Sequence, residues 1–134
     1  MAVPIVGNDD SILVQVKKIL GMNEAYTAFD IDITLHINTV LSNLTQMGVI
    51  KESGFMVTGV DEKWSDLGLT SIIKTQQIKS YIPLKVRMMF DPPTNANVKK
   101  AIDESIEEIE FRLFVEEENN RYDSLIVSEE EESS

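Results

Sequence analysis

Few side chains in this sequence have the type and spacing for chemistry. His36 is the sole histidine, and there is no cysteine. One imidazole with no thiolate or second histidine completes neither a zinc site nor a cysteine–histidine nucleophile pair, and disulfides are excluded outright. His36 stands between Leu35 and Ile37 in a stretch of helical period, the setting of a helix-surface or boundary histidine. Asp30 and Asp32 form an Asp-x-Asp pair of the kind that ligates a divalent cation. They also open a helix, where the backbone dipole already favours carboxylates, and that is the reading adopted. Glu107 and Glu108, and the run Glu116–Glu118, offer carboxylates without the convergence in a cleft that general acid–base work requires. No glycine-rich phosphate loop and no nucleophile elbow occurs. The expectation is no catalytic residue, no cofactor, no metal ligand and no enzyme.

The chain that carries these residues has 134 positions, the length of one domain. Its 43% hydrophobic content is enough for a core that folds without a metal or a disulfide. No segment approaches the roughly 18 apolar residues of a membrane span, and Met1–Asp10 lacks the basic and apolar regions of a signal peptide. The net charge of −11 is uneven. Glu116–Ser134 holds eight acids and Arg121, a net of −7, which leaves −4 for the first 115 residues. Such a chain is repelled by duplex DNA, whose phosphates are bound through Lys and Arg.

Four helices are predicted. The first runs from Ser11 to Leu20, with Ile12, Val16, Ile19 and Leu20 on one face, Gly21 after its end, and Lys17 and Lys18 in its last turn. The second carries Ile33, Ile37, Val40, Leu41, Leu44 and Met47 in one continuous stripe, opened by a capping box at Thr27–Asp30 and closed by Gly48. The third begins at Thr70 or Ser71 and reaches Phe90, with Ile78, Tyr81, Ile82, Lys85 and Met89 sharing a face. Pro83 should kink or split it, and Asp91-Pro92-Pro93 stops it. The fourth spans Asn95 to Glu118 with the stripe Val98, Ala101, Ile102, Ile106, Ile109 and Leu113, and with Glu108 and Arg112 as an i,i+4 pair. The two longest stripes predict that the second and fourth helices pack together.

Two segments fall outside this pattern. Val49–Leu69 is punctuated by Gly54, Gly59 and Gly68, with Phe55, Val57 and Val60 suggesting short extended pieces of a loop or small hairpin. A loop of that length serves a function more often than it merely connects; Trp64, the only tryptophan, is expected as a core anchor. After Glu118 comes a tail with one apolar patch, followed by Glu129–Glu132, whose composition predicts disorder. The fold class is therefore all-α: a small antiparallel bundle of about four helices, with a long loop or hairpin between helices 2 and 3 and an extended C-terminal tail. The division is 1–8 as an N-terminal arm, 9–118 as the helical domain and 119–134 as the acidic tail.

One stretch is more specific: Tyr81-Ile82-Pro83-Leu84-Lys85-Val86-Arg87-Met88-Met89-Phe90-Asp91-Pro92-Pro93, followed about twenty residues on by Ile109-Glu110-Phe111-Arg112-Leu113. Upstream stand Ile37-Asn38, Leu44, Gly48-Val49 and Trp64. In order and spacing these resemble the head–tail connector (adaptor, or neck) proteins of long-tailed bacteriophages and defective prophages, over roughly Asp10 to Glu118. The resemblance implies a structural virion protein. It would form a ring, twelve-fold in the family, docked under the portal and extending the DNA channel, with its lower face meeting a downstream neck, stopper or tail-completion protein. Double-stranded DNA would pass without specific binding, and no membrane is involved. The location implied is the neck of the virion, reached from the host cytoplasm during assembly. The family has no known catalytic residues to carry over. The residues expected to bind the portal or an adjacent subunit are Arg121, Tyr122, Leu125, Ile126 and Val127; those expected to face the channel or a partner are Gly54, Phe55, Met56, Val57 and Gly59. The competing reading, from the acidic tail, is a small acidic regulatory or inhibitory protein that mimics DNA or occupies a basic partner.

Overall fold

The computed structural model describes residues 10–51 and 54–133. The arm at 1–8 lies outside them. Four helices appear: α1 (Ile12–Ile19), α2 (Asp30–Gln46), α3 (Ile72–Phe90) and α4 (Ala96–Ser133), with a 3-10 turn at Trp64–Leu67. The described residues form no strand, and the fold is the small all-α bundle expected.

Local chemistry sets the helix ends. The Ser11 hydroxyl accepts from the Val14 N–H at 3.4 Å, and the Ser71 hydroxyl accepts from the Lys74 N–H at 3.2 Å. The Asn95 side chain accepts from the Asn97 N–H at 2.8 Å and so starts α4. Gly21 and Gly48 close α1 and α2 at φ +80° and +81°. A Cβ would meet nothing within 4 Å at either, so the left-handed backbone, not space, calls for glycine. The capping box at Thr27 does not form. Phe29 occupies the N-cap of α2 without a side-chain bond, and Asp30 turns instead to Lys17, 2.8 Å away.

Lys17 is a second departure. Rather than lying solvated in the last turn of α1, its side chain is 2% exposed. Its ammonium donates to the carbonyls of Glu24 at 3.0 Å and Tyr26 at 2.7 Å, besides pairing with Asp30. A buried cation is tolerable only when its donors are used in this way. The lysine thereby ties the segment between α1 and α2 to both helices.

Helix α3 is the centre of the bundle. It packs on α1, α2 and α4, and it is α3, not α2, that forms the main neighbour of α4. The predicted pairing of the second and fourth helices is thus corrected. Pro83 does not split α3, which runs unbroken to Phe90. A proline inside a helix costs about 3 kcal/mol. Here it is buried next to Tyr81, Ile82 and Val86, whose burial on the core offsets that cost. Of the face expected, Ile78, Tyr81 and Ile82 are buried, whereas Lys85 is half-buried and Met89 exposed; Lys74 and Val86 take their places.

Polar links fix the register of α3 on α4. Tyr81 hydrogen-bonds Glu110, and Lys74, seven positions earlier, pairs with Glu117, seven positions later. Met88 and Asp103, one more step of seven, line a common cleft. Steps of seven in opposite directions describe two antiparallel helices packed in a coiled-coil-like seam. Between these links Ile106 and Leu113 are buried. Val98 and Ala101, at the start of the predicted stripe, are exposed.

The segment between α2 and α3 makes no hairpin. Its ladder is replaced by side chains and a single antiparallel bridge between Ser11 and Lys63. The Asn38 amide donates to the Val57 carbonyl at 2.9 Å and accepts from the Val57 N–H at 2.7 Å, as a neighbouring strand would. Glu62 accepts from the Thr58 hydroxyl and from the N–H groups of Thr58 and Gly59. Trp64 is buried as expected, its indole N–H donating to Gln15 at 3.2 Å.

Candidate assembly surface

Helix α4 passes position 118 without a break and continues to Ser133, so the tail is helical where an extended chain was expected. The register explains what this helix does. With Lys74 opposite Glu117, the first residue of α3, Ile72, falls opposite position 119. Beyond that point α4 has left α3 behind. From Glu117 to Ser133 it advances about 24 Å at 1.5 Å per residue. No basic residue sits in its last turn.

The expected partner-binding residues lie on this projecting part. The side chains of Tyr122 and Leu125 are exposed by 64% and 59%, and Ile126 is half-buried. Arg121 is exposed and pairs with Glu118 at 3.2 Å. The side chain of Val127, like those from Ser128 onward, lies outside the description. Sequence reasoning missed two further residues: Phe111 and Phe114 are exposed by 67% and 56%. On a helical wheel they fall with Tyr122 and Leu125 within one face, so the apolar face is continuous from the body into the projection. The signal was present as a second apolar row beside the buried stripe.

The loop residues separate. Gly54 sits in a turn at φ +89°, Met56 is exposed, Phe55 packs against the core, and Val57 is itself core. Val57 is therefore a structural anchor with no surface to offer a channel or a partner. Gly59 donates its N–H to Glu62.

The clamp at the root of the projection is electrostatic. Glu117 is buried and accepts from Lys51 at 2.9 Å and from Lys74. Burial alone would raise its pKa; the hydrogen bonds and charges of the two lysines outweigh burial and hold the carboxyl below its ordinary value of 4.5. The hydroxyl of Tyr81 is pushed up to about 12 by burial and by the Glu110 carboxylate. Neither pair is solvent-aligned for proton transfer; both bind one helix to another.

The residues first weighed for chemistry are dispersed. His36 is half-buried with its ring 6.3 Å from that of Phe90, edge to face. Asp30 is committed to Lys17, and Asp32 is exposed. Glu108 pairs with Arg112 at 2.6 Å on the open face of α4. Among the described residues no three His, Asp or Glu side chains gather as a metal site would need, and no helix is long and apolar enough to cross a membrane.

Comparison with family models gives a match to the family described as phage connector protein, spanning residues 12–120. No curated protein and no solved structure matches the chain.

Proposed function

Given that the chain belongs to the phage connector protein family, we propose that it is a head–tail connector of the virion neck. In this reading its copies form a ring beneath the portal, extend the DNA channel and offer their other face to the next neck or tail-completion protein. The observation that carries the reading is the family match over the whole four-helix body, joined to a helix that projects from that body with an exposed apolar face. A solitary helix of this length is marginal in water, and Tyr122 and Leu125 gain stability only when something covers them. A helix laid in a groove suits this geometry, in place of the strand addition that an extended tail would have used. The acidic body also suits a conduit that must not hold phosphate.

Truncation after Asn120 tests the reading. Glu117 and the body are retained, so the truncated chain is expected to melt like the full-length protein and yet to be missing from portal-containing particles. Full recruitment of the truncated chain would overturn the role of the projection. A full-length chain that ignores portal-containing particles and instead inhibits a basic DNA-binding partner would favour the acidic regulator.

A further inference from the structure

A cavity of about 570 Å³ opens where α4 leaves the body, between the Gly48–Lys51 turn, the segment Leu67–Ser71 and α4 at Glu116, Glu117 and Arg121. Lys51, Lys74 and Arg121 line it against Glu116 and Glu117. Three cations and two anions leave a net of +1 in a chain whose net is −11. Lys74 is spent on Glu117, but the side chains of Lys51 and Arg121 are 76% and 68% exposed and have donors left for a second acidic group. Buried Val49 and Leu67 give the cavity an apolar floor.

The matching surface is on the same chain. The projecting part of α4 carries exposed Tyr122 and Leu125 and then the run Glu129–Glu132. Four neighbouring carboxylates at the negative end of a helix repel one another and the backbone dipole, and a cationic surface relieves both. The two surfaces cannot meet within one molecule. Helix α4 is unbroken from Arg121, at the cavity, to Glu129, and its rise carries the run about 12 Å away along the axis. We infer that the projecting end of α4 docks into this cavity on a second copy of the chain, head to tail, with Glu129–Glu132 facing Lys51 and Arg121. The charge complementarity of the two patches, and their separation within one copy, select a second copy as the occupant. Such a heterologous contact uses two different patches and propagates from copy to copy into a ring or a filament. The inference rests on the connector reading and gives its ring a specific joint.

The absence of cysteine makes the joint testable by a disulfide. Thr70 is exposed, lines the cavity and takes part in no ion pair of the clamp. The variant carrying both Thr70→Cys and Glu130→Cys, oxidised as concentrated protein and within portal-containing particles, is expected to give a ladder of dimer, trimer and higher species on a non-reducing gel. Each single variant is expected to stop at dimer or below. Adding Lys51→Glu should abolish the ladder, and adding Glu129→Lys with Glu131→Lys to that background should restore it. No ladder in either setting, or only a fast-running monomer, overturns the joint. If the double variant still enters particles in that case, the connector reading stands without it. A ladder in solution from a chain that never enters particles would keep the joint and remove the connector reading.

Discussion

Asn38 and Val57 exchange two hydrogen bonds, 2.9 Å from the amide to the carbonyl and 2.7 Å from the backbone N–H to the amide oxygen. One side chain on α2 thus holds the middle of a long loop, and Val57 reaches the core because of it. Asn38→Leu removes both partners and leaves the N–H and C=O of a buried residue unsatisfied, at about 1 to 3 kcal/mol for each group. The expected loss is about 2 to 4 kcal/mol in urea unfolding, with new proteolytic cleavage near Gly54–Gly59. Unchanged stability and cleavage would show that the loop is held from elsewhere.

Shortening the loop from Gly54 to Gly59 follows from the same relationship. The segment contributes Val57 to the core and the N–H of Gly59 to Glu62, so its deletion should lower the melting temperature as well as disturb any surface role. A deletion variant that melts like the parent would contradict the anchoring role of Val57.

Lys17→Met should destabilise by about 3 kcal/mol, because it strands Asp30 and the carbonyls of Glu24 and Tyr26. Hydrogen exchange should quicken first in residues 22–30. Loss spread evenly over the whole chain would argue that Lys17 acts through packing alone.

The stability should fall at both ends of the pH scale for identifiable reasons. Hydrogen bonding from the Thr58 side chain, with help from nearby N–H groups, keeps the Glu62 carboxyl below its ordinary 4.5, and Glu117 is lowered as well. Groups depressed on folding add stability above about 4.5 and lose it as the pH falls through their folded values. Tyr81 works the other way: its folded value of about 12 exceeds the ordinary 10, so its contribution is complete below 10 and lost as the pH rises from 10 towards 12. Glu62→Gln should flatten part of the acid limb and Tyr81→Phe the alkaline limb, both read by chemical denaturation against pH.

Leu44→Ala should cost about 2 to 5 kcal/mol, since Leu44 is fully buried in the α2 stripe. A variant with an unchanged midpoint would mean that this part of α2 is not core.

Much of this bundle was legible in the sequence because its ends and stripes are local. Ser11 and Ser71 cap as their positions suggest, Gly21 and Gly48 close as glycines do, and Ile33 to Leu44 keep one face. Trp64 was legible for its size alone. What escaped depends on partners far away in the chain. Lys17 looks like any helix-end lysine until the segment 24–30 wraps its ammonium, and Asn38 like any polar helix residue until Val57 arrives. The continuation of α4 escaped because charge and composition past Glu118 suggested disorder, while no glycine or proline actually ends the helix. Of the expected contact residues, Tyr122 and Leu125 are outward as anticipated, and Val57 is inward because a side chain on another element claims its backbone.

The seven-residue steps that seat α4 on α3 also make the projecting helix a ruler whose zero mark is Glu117. Every residue between that mark and the acidic run adds about 1.5 Å of reach and turns the run by about 100°. Inserting seven residues would lengthen the arm by about 10 Å and return the run to nearly the same azimuth, whereas inserting two would point it about 160° away. The spacing from Glu117 to Glu129 therefore encodes both how far this protein extends and in which direction its charge faces. A chain of another length must answer to a neighbour of another size.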